Sequence, residues 1–309
     1  MHLNEIDIVV NESTVNESIE IKNTILSMIE QFNFLDLRRF EKIIVAEDVN
    51  TEVNQLMNSN NEQNSSILAK VITSSKNEKM ELLLILNREF LDICTKLTGN
   101  EPKYNEFLHI LHHELAHIHD YNKKIDVFEP YMLHGKYNGV KTITYPLAEI
   151  CWSEYIANFI SSSSTSINSY PVLTAEILAE LVIKMTNESK INIQVFKSNK
   201  NRMDLFHEIK EQIEKVVKTA AYLLGYLHGL NVTLPEISDK IDYMISKSNF
   251  SETWKLMNQE FYAMRSVYPL GWQRLRIYEN LAFYFQNYYK ENGLFLKENE
   301  KKELYFSIA

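Results

Sequence analysis

Apolar side chains recur at three- and four-residue spacing over most of this 309-residue chain. That is the period of helices that bury one face. Between Ser18 and Phe32 the repeat is carried by Ile21, Ile25, Met28, Ile29 and Phe32. Between Tyr104 and Asp120 it is carried by Phe107, Leu108, Ile110, Leu111, Leu115 and Ile118, with no Gly or Pro inside and Pro102 just upstream. The same period predicts helices over Pro171–Thr186, Arg202–Leu230, Pro235–Ser248, Ser251–Val267 and Leu270–Asn292. Short runs rich in β-branched and aliphatic residues read instead as strands: Phe40–Ala46, Ile67–Thr73 and Met80–Leu86, the last two joined by a polar turn over 74–78. Leu294–Leu296 and Leu304–Phe306 suggest a closing hairpin. Polar stretches at Met57–Ser66 and Ser161–Ser169 read as a loop and a break, and Lys123–Pro146, with Pro130, Gly135, Gly139 and Pro146, reads as a long connection. The expected fold is α+β and mostly helical. A small three- or four-stranded sheet belongs to residues 1–165, and a large all-helical part spans 166–309.

Within the second of these helices lies His113-Glu114-Leu115-Ala116-His117, the H-E-x-x-H pattern. Residues four apart stand one turn apart on a helix face, so His113 and His117 can offer imidazoles to one metal ion. Glu114 is turned about 100° from His113, beside the metal position, where a general base would stand. A catalytic zinc takes a third protein ligand and leaves its fourth position open. Glu154, in the apolar helical segment Ala148–Phe159, is the leading candidate, with Asn158 four residues on and Glu149 as competitor. His109 and Asp120, near the metal face, are candidate supporting partners of the ligands. His112 and His119 share another stripe and read as packing or surface residues. His134 and then Tyr145, both in the long connection, are the candidate donors to an oxyanion.

These residues resemble those of the gluzincin metallopeptidases, which carry H-E-x-x-H on one helix and a glutamate ligand on a following one. The wording H-E-L-A-H and E-Y-I-A-N-F is most similar to intracellular peptidases of the ImmA/IrrE kind. The resemblance covers roughly residues 20–165. It implies a zincin-like catalytic lobe, Zn²⁺ held by His113, His117 and Glu154, Glu114 as base, and a peptide or protein substrate. It also implies an edge strand beside the site that holds an extended peptide; Met80–Leu86 is the candidate. The helical C-terminal half matches no pattern of that family.

Composition narrows the alternatives. Gly (7) and Pro (6) are scarce, which disfavours a β-sandwich, and no G-x-G-x-x-G or P-loop occurs. Net charge is −9 with no basic stripe, so nucleic acid is not an expected partner. The two cysteines, Cys94 and Cys151, lie far apart in apolar surroundings; they exclude a disulfide framework and read as buried residues. The N-terminal residues lack the charge and apolar core of a secretory signal, and no apolar run is long enough to span a bilayer. The expectation is therefore a cytoplasmic protein without membrane partners. Its expected function is zinc-dependent peptide hydrolysis. A metal-stabilised regulatory protein without turnover and a zinc amidase on a non-peptide substrate are the rivals.

Overall fold

Strand β2 (Phe40–Ala46) is the spine of an N-terminal sheet whose order is β1-β2-β4-β3, with β1 at Asp7–Val10, β3 at Ala69–Lys76 and β4 at Lys79–Asn87. The computed structural model describes residues 6–11, 13–57, 67–76, 79–89, 91, 102–128, 137–199, 202–272 and 275–308. β2 runs parallel to β1 and β4, and β3 returns antiparallel to β4 with Val71 opposite Leu84. Leu82 to Leu86 are all buried, as a central strand covered on both faces requires. Helix α1 (Val15–Glu30) links β1 to β2 and starts at a capping box, Thr14 with Glu17. Helix α2 (Val49–Met57) closes one face of the sheet with Val49 and Val53 against Ile44, Ile72, Leu83 and Ile85.

The β1 strand and α2 are additions to the sequence reading. The first is only four residues long, and α2 buries just two of its nine. The edge-strand expectation needs correction. Met80–Leu86 is paired on both sides, so its ladder is full; the edge beside it is β3. Predicted Ser18–Phe32, Phe40–Ala46 and the Ile67–Leu86 hairpin otherwise appear within a few residues of their expected bounds.

Further helices are α3 (Pro102–Phe128), α4 (Lys141–Ser161), α5 (Tyr170–Asn199), α6 (Arg202–Leu230), α7 (Leu234–Ser246), α8 (Ser251–Ser266) and α9 (Glu279–Glu291), followed by the hairpin β5–β6 (Leu294–Glu298, Leu304–Ile308). The expected loop Lys123–Pro146 is thus helical at both ends, and Pro146 sits inside α4. The last predicted helix starts later than expected: a 3₁₀ turn at Leu275–Tyr278 precedes α9.

Contacts divide the chain into two compact units, Met1–Lys123 and Lys124–Ala309, with the division inside α3. The sequence reading puts its boundary at 165, after the serine-rich break. In the structure α4 packs most extensively on α6 and belongs with the C-terminal helices. Their core is aromatic: Tyr155 lies flat on Phe261 (centroids 4.4 Å, planes 5° apart), and Trp152 meets Trp272 at 4.6 Å. No helix among the described residues is long and apolar enough to cross a membrane.

Candidate metal centre

Helix α3 buries Phe107, Leu111, Leu115 and Ile118, one apolar stripe at helical spacing. That anchoring fixes the stripe beside it. His113 and His117 meet with Nε2 atoms 3.0 Å apart and rings nearly perpendicular, at 89°. Among the described residues, these two imidazoles and the Glu154 carboxylate of α4 form a group whose ligand atoms all lie within 4.8 Å of one another.

The donor set and its spacing suit a small divalent cation. Two nitrogens bound to zinc at about 2.05 Å in tetrahedral geometry stand about 3.3 Å apart, and the observed 3.0 Å is close to that. Two imidazoles and one carboxylate are a donor set that zinc, a borderline cation, takes in open, three-ligand sites. Glu154 sits mid-way along a helix whose Cys151, Trp152, Tyr155 and Asn158 are all buried, and its Oε2 is shut off from solvent.

Glu114 Oε2 accepts a hydrogen bond from the backbone N–H of Val71 at 3.0 Å. This bond ties the residue beside the His pair to edge strand β3. His109 and Asp120, the expected supporting partners, are both buried. Of the two readings left open for His112 and His119, packing or surface, the structure shows packing. His112 stacks on Phe32 at 4.0 Å, with Phe34 edge-on at 5.8 Å. Burial, helped by the neighbouring His113, pulls its pKa down to about 4. His119 Nδ1 accepts the Asp36 N–H at 2.8 Å, and burial lowers its pKa too.

Asp36 centres a set of long-range bonds that sequence reasoning missed. Its carboxylate takes Arg38 and Lys123, each at 2.7 Å, and its carbonyl takes Asn122 Nδ2 at 2.8 Å. Burial works against the Asp36 charge, but these donors outweigh it and hold the carboxyl far below the usual carboxylate range. The network fastens the approach to β2 onto α3. Partners more than eighty residues apart leave no local signal.

Among the described residues, the other named candidates are not brought to the trio. His134 lies outside the described residues. Tyr145 is buried in α4, its ring 5.1 Å from Tyr137 with Lys141 Nζ 4.8 Å above it. Nine residues separate it from Glu154, which puts the two on opposite sides of the helix and about 13 Å apart along its axis. Glu149 is engaged elsewhere: burial pushes its carboxyl up, while the Tyr137 hydroxyl donates to it and Lys124 faces it. Cys151 is fully buried, and its thiol is pushed well above its ordinary pKa by that burial, which makes it inert.

One positioning device was legible and missed. Gly225 and Gly229 of α6 lie against the turn of α4 that follows Glu154. A Cβ on Gly225 would meet the Tyr155 carbonyl oxygen at 2.5 Å, and one on Gly229 would meet the Phe159 carbonyl oxygen at 2.5 Å. Two glycines four apart, in a chain with only seven, are the signal for such a close helix approach. Comparison of the chain with protein-family models, curated proteins and solved structures found no match.

Proposed function

We propose that this chain is a zinc-dependent metallopeptidase with His113, His117 and Glu154 as ligands and Glu114 as general base. The carrying observation is the convergence of the three ligand atoms within 4.8 Å, with Glu114 next in sequence to His113 and bonded to an edge strand. When bound, Zn²⁺ supplies Lewis acidity that brings the pKa of water toward neutrality and polarises a carbonyl. Glu114 takes the proton of the attacking water and delivers it to the leaving amine. Strand β3, the sheet edge, offers an extended substrate a line of backbone groups, with the Val71 N–H marking where that line meets Glu114.

The same Glu114–Val71 bond favours one other reading. A carboxylate committed to an edge-strand N–H would leave the metal structural and the chain a binding protein. Glu114→Gln separates the two. Under the peptidase reading the variant keeps its zinc, measured by elemental analysis, and loses cleavage of unstructured peptides by roughly a thousandfold or more. A wild-type chain that holds zinc and cleaves no peptide, in a screen read by mass spectrometry, would leave the binding reading.

A further inference from the structure

Arg265, near the end of α8, has no carboxylate partner among the described residues, although the chain carries 41 acidic side chains against 32 basic ones. Its neighbours are rings. The guanidinium carbon lies 4.3 Å from the Phe159 ring centre and 5.3 Å from that of Tyr262. Stacking occupies the faces of a guanidinium and leaves its in-plane N–H groups to form a fork for a planar anion. Here Nε is buried and a terminal N–H group is engaged with the Tyr155 hydroxyl, so the remaining terminal N–H groups supply the fork.

Asn258, Tyr262 and Arg265 stand at i, i+4 and i+7 and so share one stripe of α8. His228 of α6 organises that stripe. Its Nε2 lies 2.7 Å from Asn258 Oδ1 and its Nδ1 lies 2.8 Å from the Tyr155 hydroxyl. An amide oxygen only accepts, so Nε2 carries the proton and the neutral ring accepts at Nδ1 from Tyr155. The Asn258 amide is thereby turned with its NH₂ away from His228, on an exposed side chain. Tyr262 is 61% exposed and adds a phenol to the same surface.

We propose that Arg265 and Asn258, with His228 holding the amide in place, form a binding site for an oxyanion, the carboxylate or phosphate of a ligand. The site lies wholly within the helical unit and does not depend on the peptidase reading.

The test is calorimetric titration of the purified full chain with inorganic phosphate and, separately, with N-acetylglycine as a carboxylate. At least one anion should bind saturably, and the tighter of the two names the source. Arg265→Gln should weaken it at least tenfold. Arg276→Gln, which removes an arginine already paired with Glu279, should leave it unchanged. Asn258→Ala alters an exposed side chain, so it keeps the test open if Arg265→Gln does not fold; it should weaken binding several-fold. Absence of saturable binding by wild type, or equal affinity in Arg265→Gln and wild type (the behaviour of an anion held by a metal elsewhere), overturns the proposal.

Discussion

His112 shows how one residue beside a candidate metal centre ties stability to pH. It is buried against Phe32 as a neutral ring, with its pKa pulled down to about 4. The unfolded chain titrates this histidine near 6.5. Below that value the unfolded state binds the proton first, so stability falls as pH drops and stops falling below the folded value. The contribution present at pH 7 is reduced by about 2 kcal/mol at pH 5. His112→Phe has no such titration. Urea unfolding at pH 7 and pH 5 should therefore show wild type losing about 2 kcal/mol more than the variant; equal losses would show that His112 is not held neutral. Raised carboxyls such as Glu149 and Glu260 act in the opposite sense, which is why the comparison is made against a variant that keeps them. At this scale the sequence was most informative. The His pair could be read from spacing and type, while Glu154 leaned more on the family resemblance; the structure brings the three together. That His112 and His119 lie off the metal stripe followed from their angle around the helix; that they pack rather than face solvent did not. The bonds from Asp36 to His119, Asn122 and Lys123 could not be read, since they depend on how remote segments meet.

At the scale of elements, the seam between α4 and α6 aims the Glu154 segment. Gly225 lets α6 approach the backbone of α4, where a methyl group would overlap the Tyr155 carbonyl oxygen. Backbone cannot swing aside as a side chain can, so Gly225→Ala should cost about 2–3 kcal/mol. Chemical denaturation reads that loss; a change under about 0.5 kcal/mol would mean the helices separate without strain. The strands Phe40–Ala46 and Met80–Leu86 were legible because central strands are continuous apolar runs. Their pairing order was not. The apolar pattern says that Met80–Leu86 is buried, not which strand lies at the rim, and so the edge was assigned to the wrong strand. The four-residue β1 and the polar α2 carry too few buried positions for periodicity to register. Pro146 misled in the other direction: it reads as the end of a loop, yet sits inside α4, whose buried Thr144, Tyr145, Leu147 and Ala148 hold that turn helical by packing.

At the scale of the whole molecule, the proposed zinc site predicts that the metal acts on folding as well as on chemistry. His117 and Glu154 are separated by thirty-six intervening residues, and an unfolded chain does not hold them together. A cation that needs all three ligands therefore binds the native state and stabilises it by RT ln(1 + [L]/Kd), about 2.7 kcal/mol at a free concentration one hundred times Kd. For a chain of this size each kcal/mol raises the melting temperature by roughly 2 °C. Zinc at that excess should thus raise Tm by roughly 5 °C over chelator-treated protein, read by scanning calorimetry. His117→Ala should abolish most of the shift, because removing one imidazole leaves a two-ligand site with far weaker hold. Glu114→Gln, which keeps all three ligands, should retain it. If His117→Ala kept the full shift, the cation would reside elsewhere on the chain and the assignment of the trio would fall, whatever the activity of the protein proved to be. If Glu114→Gln lost it, Glu114 would be a ligand rather than a base.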